Sequence, residues 1–190
     1  MPCCLSSWRP SCCAGATPEG REGQTTAVST LTPAIDAIAA LGVPHTVVRS
    51  ERAASAEEAA RLQGIPLGAL LRTIVVRRAE ADYLFVLVPA GRRFDWPKLR
   101  ELLGVRRMTL PDAEEARAVT GYERYTITPF GSSTAWPVVV DAAVLGEPVV
   151  SVGGGAFGVN LHLAPSDLVA ALGATVADVS VEAVEADRSG

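Results

Sequence analysis

Beyond residue 13 the chain has no cysteine: all four, Cys3, Cys4, Cys12 and Cys13, stand in two adjacent pairs near the start. The remainder therefore has neither a disulfide framework nor a cysteine nucleophile. Zinc binding by the two pairs is disfavoured, because paired ligands of structural sites normally have two to four residues between them. No metal and no cofactor are expected. Lysine is almost as scarce, Lys98 being the single one among 17 cationic residues. No apolar run reaches the roughly 20 residues that span a bilayer, and no basic start followed by an apolar stretch marks a secretory signal. No membrane partner is expected, and the cytoplasm is the expected compartment. A net charge of −4 argues against indiscriminate attraction to a phosphate backbone.

What is present suits one globular domain: 190 residues, 48% hydrophobic and 20% charged, can bury a substantial core. Residues 1–28 are rich in Cys, Ser, Pro, Gly, Thr and Glu without apolar periodicity, which predicts a disordered extension and raises Val28 or a neighbour as an alternative start. Residues 29–180 form the expected domain and 181–190 a tail. From Arg72 to Arg107 nine basic residues face four acidic ones, a local excess of 9 − 4 = +5. That stretch reads either as a solvated face or as a phosphate-facing patch.

Thr32-Pro33 opens a helix that Gly42 stops, and His45 to Arg49 reads as a strand. Ser55-Ala56-Glu57-Glu58 is a capping box opening a second helix, ended at Gly64-Ile65-Pro66. Leu70 to Arg77 and Tyr83 to Pro89 form an expected hairpin. A helix with Pro97 in its first turn, a short strand at Arg106 to Thr109 and a helix from Asp112 to Val119 come next. Strands are expected at Pro137 to Val140, Val149 to Val152, Val159 to Leu163 and Val176 to Val179, with a helix from Pro165 to Leu172. Strands separated by both hairpins and helices predict an α+β fold with a mixed, mostly antiparallel sheet flanked by helices.

Two glycine-bearing segments carry the chemistry. The run Thr120-Gly121-Tyr122-Glu123-Arg124-Tyr125-Thr126-Ile127-Thr128-Pro129-Phe130-Gly131 and the triple glycine Gly153-Gly154-Gly155 with Gly158 suggest a pocket lined by peptide groups, since glycine lets another molecule approach the main chain. The triple glycine joins two expected strands, whereas a dinucleotide fingerprint must open a helix. A plain tight turn remains the alternative. His45 and His162 both fit ordinary strand positions, and Ser132 and Ser133, lacking a Gly-x-Ser-x-Gly elbow, fit turn hydrogen bonding.

Leu71-Arg72-Thr73-Ile74-Val75-Val76, the Thr120-to-Gly131 run, Val140-Asp141, the triple glycine and Leu163-Ala164-Pro165-Ser166-Asp167-Leu168 occur in the order and spacing of the YbaK family of aminoacyl-tRNA deacylases. Those proteins are similar to the editing domain inserted in bacterial prolyl-tRNA synthetases, and the resemblance covers roughly Leu31 to Val179. It implies a metal-free hydrolase that cleaves the ester joining a wrong amino acid to the tRNA 3′ end, with aminoacyl-tRNA as partner and an aminoacyl-tRNA synthetase as a second candidate. It also implies site residues. Arg72 matches a basic position, usually lysine, that contacts the terminal adenosine or its phosphates. Tyr125 to Pro129 matches a Gly-x-x-x-Pro loop whose amides hold the aminoacyl carbonyl and orient water, which puts Tyr125, Thr126 and Pro129 with Arg72 in the catalytic set. Thr128, Phe130, Gly131, Gly153, Gly154, Gly155 and Asn160 make up the substrate-binding set. Tyr125 departs from the family's glycine, and Arg72 from its lysine. A non-catalytic module that binds an aminoacyl-adenosine, a nucleotide or a protein partner is the alternative.

Overall fold

The computed structural model describes residues 31–182, so the extension expected over 1–28, with its cysteines, lies outside the described residues. Helix α1 (Pro33–Ala40) begins where the sequence places it: Thr32 is the N-cap, its Oγ1 accepting from the Ile35 amide at 3.3 Å and donating to the Gly154 carbonyl. Strand β1 (Thr46–Arg49) follows, then α2 (Ala56–Gln63), capped by Ser55 and closed by Gly64 in the left-handed conformation. The hairpin of β2 (Leu71–Ala79) and β3 (Asp82–Pro89) supplies the centre. Every residue of β3 after Asp82 is buried, as its nearly unbroken apolar run requires.

β4 (Arg92–Phe94), α3 (Trp96–Leu103), α4 (Ala113–Thr120), β5 (Val138–Asp141), β6 (Val150–Gly153), β7 (Val159–Leu163), α5 (Pro165–Leu172), β8 (Thr175–Ala177) and β9 (Ser180–Glu182) complete the order. One sheet runs β2-β3-β5-β8, antiparallel at β2–β3 and parallel at the two later pairs. A second, β1-β7-β6, is antiparallel throughout, and β4 pairs with β9. The expected α+β architecture with a mixed, mostly antiparallel sheet is what forms.

Three local expectations change. The strand expected over 106–109 shrinks to a single bridge between Arg77 and Thr109, because Pro111 has no amide to continue a ladder. The last expected strand starts one residue earlier and ends two residues earlier, at Thr175–Ala177. β4 and β9 were not anticipated, and β9 runs two residues past the boundary expected at 180.

The larger hydrophobic core packs α1, Tyr122 and Phe130 against Leu71, Val75, Phe85, Leu87, Val150, Val152 and Leu161. A smaller one lies under α3, where Leu99 meets Val76, Leu84, Val86 and Val88. A parallel bridge from Leu70 to Ser151 joins the two main sheets and sets the level at which β2 meets β6.

Candidate active site

Gly121, left-handed at φ 79°, ends α4 and turns the chain into the loop that closes at Ser132 and Ser133. The Thr120 carbonyl fastens that neck, accepting from the Ser133 amide at 3.0 Å and the Ser132 hydroxyl at 3.2 Å. Ser132 and Ser133 are thus turn residues, as expected. Inside the loop Tyr122 is buried, and its hydroxyl donates to the Phe130 carbonyl at 2.7 Å. Burial pushes the Tyr122 phenol up to about 12.

A folded-state value above the ordinary phenol value of about 10 means that Tyr122 stabilises the fold fully below about pH 10 and that this contribution disappears as pH rises from there towards 12. Tyr122→Phe leaves the buried Phe130 carbonyl unpaired and should cost about 1–3 kcal/mol at neutral pH. Denaturant titrations at pH 7 and pH 11 check this: the gap between wild type and variant should narrow at the higher pH.

The two glycine turns meet at Gly153 and Gly155. A Cβ at Gly153 would lie 3.4 Å from the Ile127 carbonyl oxygen and 3.5 Å from that of Thr126. One at Gly155, which is left-handed at φ 83°, would strike the Tyr122 ring at 2.7 Å. Between the turns lies a cleft of about 310 Å³, lined by Arg117, Gly121, Tyr122, Glu123 and Thr126 on one side and Gly155, Ala156 and Phe157 on the other. Among the described residues the amides of Thr128, Phe130 and Gly131 donate no hydrogen bond within the protein, and the fully buried Thr128 hydroxyl has no partner. An unmet hydroxyl at such a place costs about 1–3 kcal/mol.

Sheet register adds a second side to the site. Two residues on from the Leu70–Ser151 bridge along each strand stand Arg72 and Gly153, and Gly153 is paired with Asn160. Arg72, Gly153 and Asn160 therefore occupy one row across β2, β6 and β7. Arg72 is exposed, but its guanidinium donates to the Arg92 carbonyl at 2.5 Å and does not line the cleft.

The remaining expected site residues divide between contact and support. Thr126 and Gly155 line the cleft. Phe130 is buried with its carbonyl occupied by Tyr122, Gly131 packs where a Cβ would sit 2.3 Å from the Pro33 carbonyl oxygen, and the Gly154 carbonyl accepts from Thr32. Those three brace the turns and are not among the residues that line the cleft. Tyr125 takes φ 73°, the conformation that favours glycine, with its ring 78% exposed. The loop thus has a glycine-like backbone at this position, and the side chain projects into solvent instead of closing the cleft. Sequence reasoning missed Arg117, Glu123, Ala156 and Phe157 as lining residues; the two positions between Gly155 and Gly158 were the available signal.

Neither histidine enters the cleft. His45 Nδ1 lies 2.8 Å from the Val43 carbonyl oxygen, and His162 Nε2 lies 3.0 Å from Gln63 Oε1, with burial lowering the pKa of His162. Asp141, 1% exposed, accepts from the Ala143 and Val179 amides and is a structural brace. Among the described residues no group of three His, Cys, Asp or Glu could hold a metal ion, and no helix is long and apolar enough to cross a membrane. A larger cleft of about 510 Å³ lies at the far end of β2, lined in part by Arg77, Arg78, Tyr83, Arg107 and Glu115. Its first two arginines are paired, with Glu115 at 2.8 Å and Asp82 at 2.6 Å, so the solvated-face reading suits that part of the basic stretch.

Residues 50–171 match the family described as the aminoacyl-tRNA editing domain. A protein of Enterococcus faecalis, named as a candidate Cys-tRNA(Pro)/Cys-tRNA(Cys) deacylase, EbsC, is 23% identical over 133 residues, 70% of this chain and 81% of its own. The crystal structure of hypothetical protein APE2540 is similar with a TM-score of 0.73 at 28% identity, covering 79% of this chain and 100% of that one. That of a candidate trans-editing enzyme for prolyl tRNA synthetase has a TM-score of 0.72 at 29% identity, covering 78% and 95%. With the fold, the facing glycine turns and these relatives in agreement, the chain belongs to the aminoacyl-tRNA editing domain family, as its motifs implied.

Proposed function

We propose that this protein is a trans-editing hydrolase that clears a wrong amino acid from tRNA by cleaving the ester at the 3′ end. The observation that carries the reading is the contact between the turns: the carbonyl groups of Thr126 and Ile127 stand against Gly153, beside a cleft whose neighbouring loop keeps uncommitted amides. Water adds to the ester carbonyl, the oxyanion collapses, and the ribose oxygen leaves with a proton. Each preorganised N–H donor aimed at that oxyanion contributes about 2.7–4 kcal/mol of transition-state stabilisation, enough for catalysis in a cleft without histidine. The ester's neighbouring ribose hydroxyl is available to guide the proton.

In this reading the uncommitted amides between Ile127 and Ser132 hold the carbonyl, Thr126 and Gly155 line the acyl cleft, the Thr128 hydroxyl meets the bound group, and Arg72 swings from Arg92 to the terminal phosphate. Asn160 and Gly153 floor the site in the same row as Arg72. The solvent-facing Tyr125 ring favours the hydrolase over a closed, non-catalytic relative. An aminoacyl-tRNA synthetase that produces the mischarged tRNA is the natural second partner. The names of the relatives make Cys-tRNA(Pro) the first substrate to try.

The test is incubation of the purified protein with a panel of mischarged tRNAs carrying small amino acids, following loss of the ester against its spontaneous rate. Accelerated loss on at least one member is expected. No acceleration on any, with tRNA still bound, would reject the hydrolase and leave the binding module.

A further inference from the structure

Two arginine-backed aromatic rings stand exposed on the two turns that form the cleft, one lining it and the other next in sequence to a lining residue. Phe157 lines it, is 45% exposed, and has the Arg52 guanidinium carbon 4.7 Å from its ring centroid. Tyr125, next to the lining residue Thr126, has the Arg124 guanidinium carbon 5.0 Å from its centroid. Each comes from a different one of the two turns, so both turns present the same pairing of a flat apolar face and a cation.

The Tyr125 side is held at a cost. A tyrosine at φ 73° is strained where glycine would not be, and the ring gains no burial in return. Strain kept without a packing benefit points to contact with something outside the chain. Neither Arg52 nor Arg124 forms an ion pair with a carboxylate among the described residues, so both retain charge for a phosphate.

We infer that Tyr125 with Arg124 and Phe157 with Arg52 form a stacking platform that grips the unpaired nucleotides at the RNA 3′ end, ahead of the esterified residue. Proteins that hold single strands combine aromatic faces for the bases with cations along the backbone, and stacking tolerates any base because every base has a π face. This rests on the tRNA reading above, and it adds the part of the substrate that the rim takes and the residues that take it.

The experiment is fluorescence anisotropy at fixed ionic strength, with two uncharged minihelices: one with the unpaired 3′ nucleotides of tRNA, the other blunt. Wild type should bind the overhang form at least tenfold more tightly. Tyr125→Gly, Tyr125→Leu and Phe157→Ala should each weaken it about tenfold, the scale of one lost base stack, while blunt-helix binding stays unchanged. Tyr125→Gly should also raise the melting temperature, which separates a binding role from a folding role. Equal affinity for the two minihelices, no binding to either, or variants that bind the overhang form as wild type does would overturn the platform. Cleavage of mischarged tRNA is scored separately. Overhang-dependent binding without cleavage retains the platform and rejects the hydrolase, whereas cleavage with an unchanged KM in these variants does the reverse.

Discussion

Gly153→Val should lower kcat/KM for a mischarged tRNA by about 100-fold or more, whereas Gly153→Ala should stay within about threefold of wild type. The difference follows from the space at that position. An added Cβ comes to 3.4–3.5 Å from the Thr126 and Ile127 carbonyl oxygens, an ordinary contact, but the branched methyls of valine must push into the loop. Valine suits a strand, so β6 itself tolerates the change. The loop that carries the proposed oxyanion donors moves instead, and a displacement of about 1 Å from productive geometry suffices for a loss of that size. Single-turnover kinetics with matched melting curves decide the matter: equal rates for the alanine and valine proteins would remove the Gly153 junction from the site.

Gly131→Ala should be the most damaging small substitution for stability. Gly131 is left-handed at φ 64°, and a Cβ there would lie 2.3 Å from the Pro33 carbonyl oxygen and 2.5 Å from its carbonyl carbon. Those are backbone atoms at the start of α1, so no side chain can rotate away. The chain must shift the loop or the helix, at about 3 kcal/mol or more, the sum of a forbidden backbone region and an overpacked contact. For a domain of this size that corresponds to a melting temperature about 6–12 °C lower. Differential scanning calorimetry checks it; a fall below about 2 °C would mean that the loop and α1 are not rigidly docked.

The elements best read from the sequence are those with local chemistry at their ends. Thr32-Pro33, Ser55 with Glu58, and Asp95 before Pro97 each announce a helix start, and each cap is made in the structure. β4 and β9 escaped because three-residue strands have no measurable period, and Arg92-Arg93-Phe94 finds its partner only at Ser180–Glu182, far along the chain. Alternation at Arg106 to Thr109 looked sufficient for a strand, but Leu110-Pro111 follows and the ladder stops at one bridge.

The site divides along the same line. Its glycines were visible because a missing side chain is a statement about backbone, and both turns are where the chain comes together. Arg72 was visible through the resemblance, but its level beside Gly153 depends on the Leu70–Ser151 bridge between strands far apart in sequence. The only signal for Phe157 was its place between Gly155 and Gly158; the folded turn puts it on the rim. Tyr125 reads from sequence only as a departure from the family's glycine; its left-handed backbone and exposed ring are properties of the fold.

The hydroxyl of Thr32 fastens the beginning of α1 to the carbonyl of Gly154, while Pro33 and Ala34 press against Gly131. Both turns thus lean on a helix that precedes the 50–171 stretch by which the family is recognised. Homology boundaries and mechanical boundaries differ in this protein. A shortened version trimmed to the recognisable core would lose the buttress behind both halves of its reaction chamber, and sequence drift in those first helical residues is free to retune the chamber without altering a single signature position.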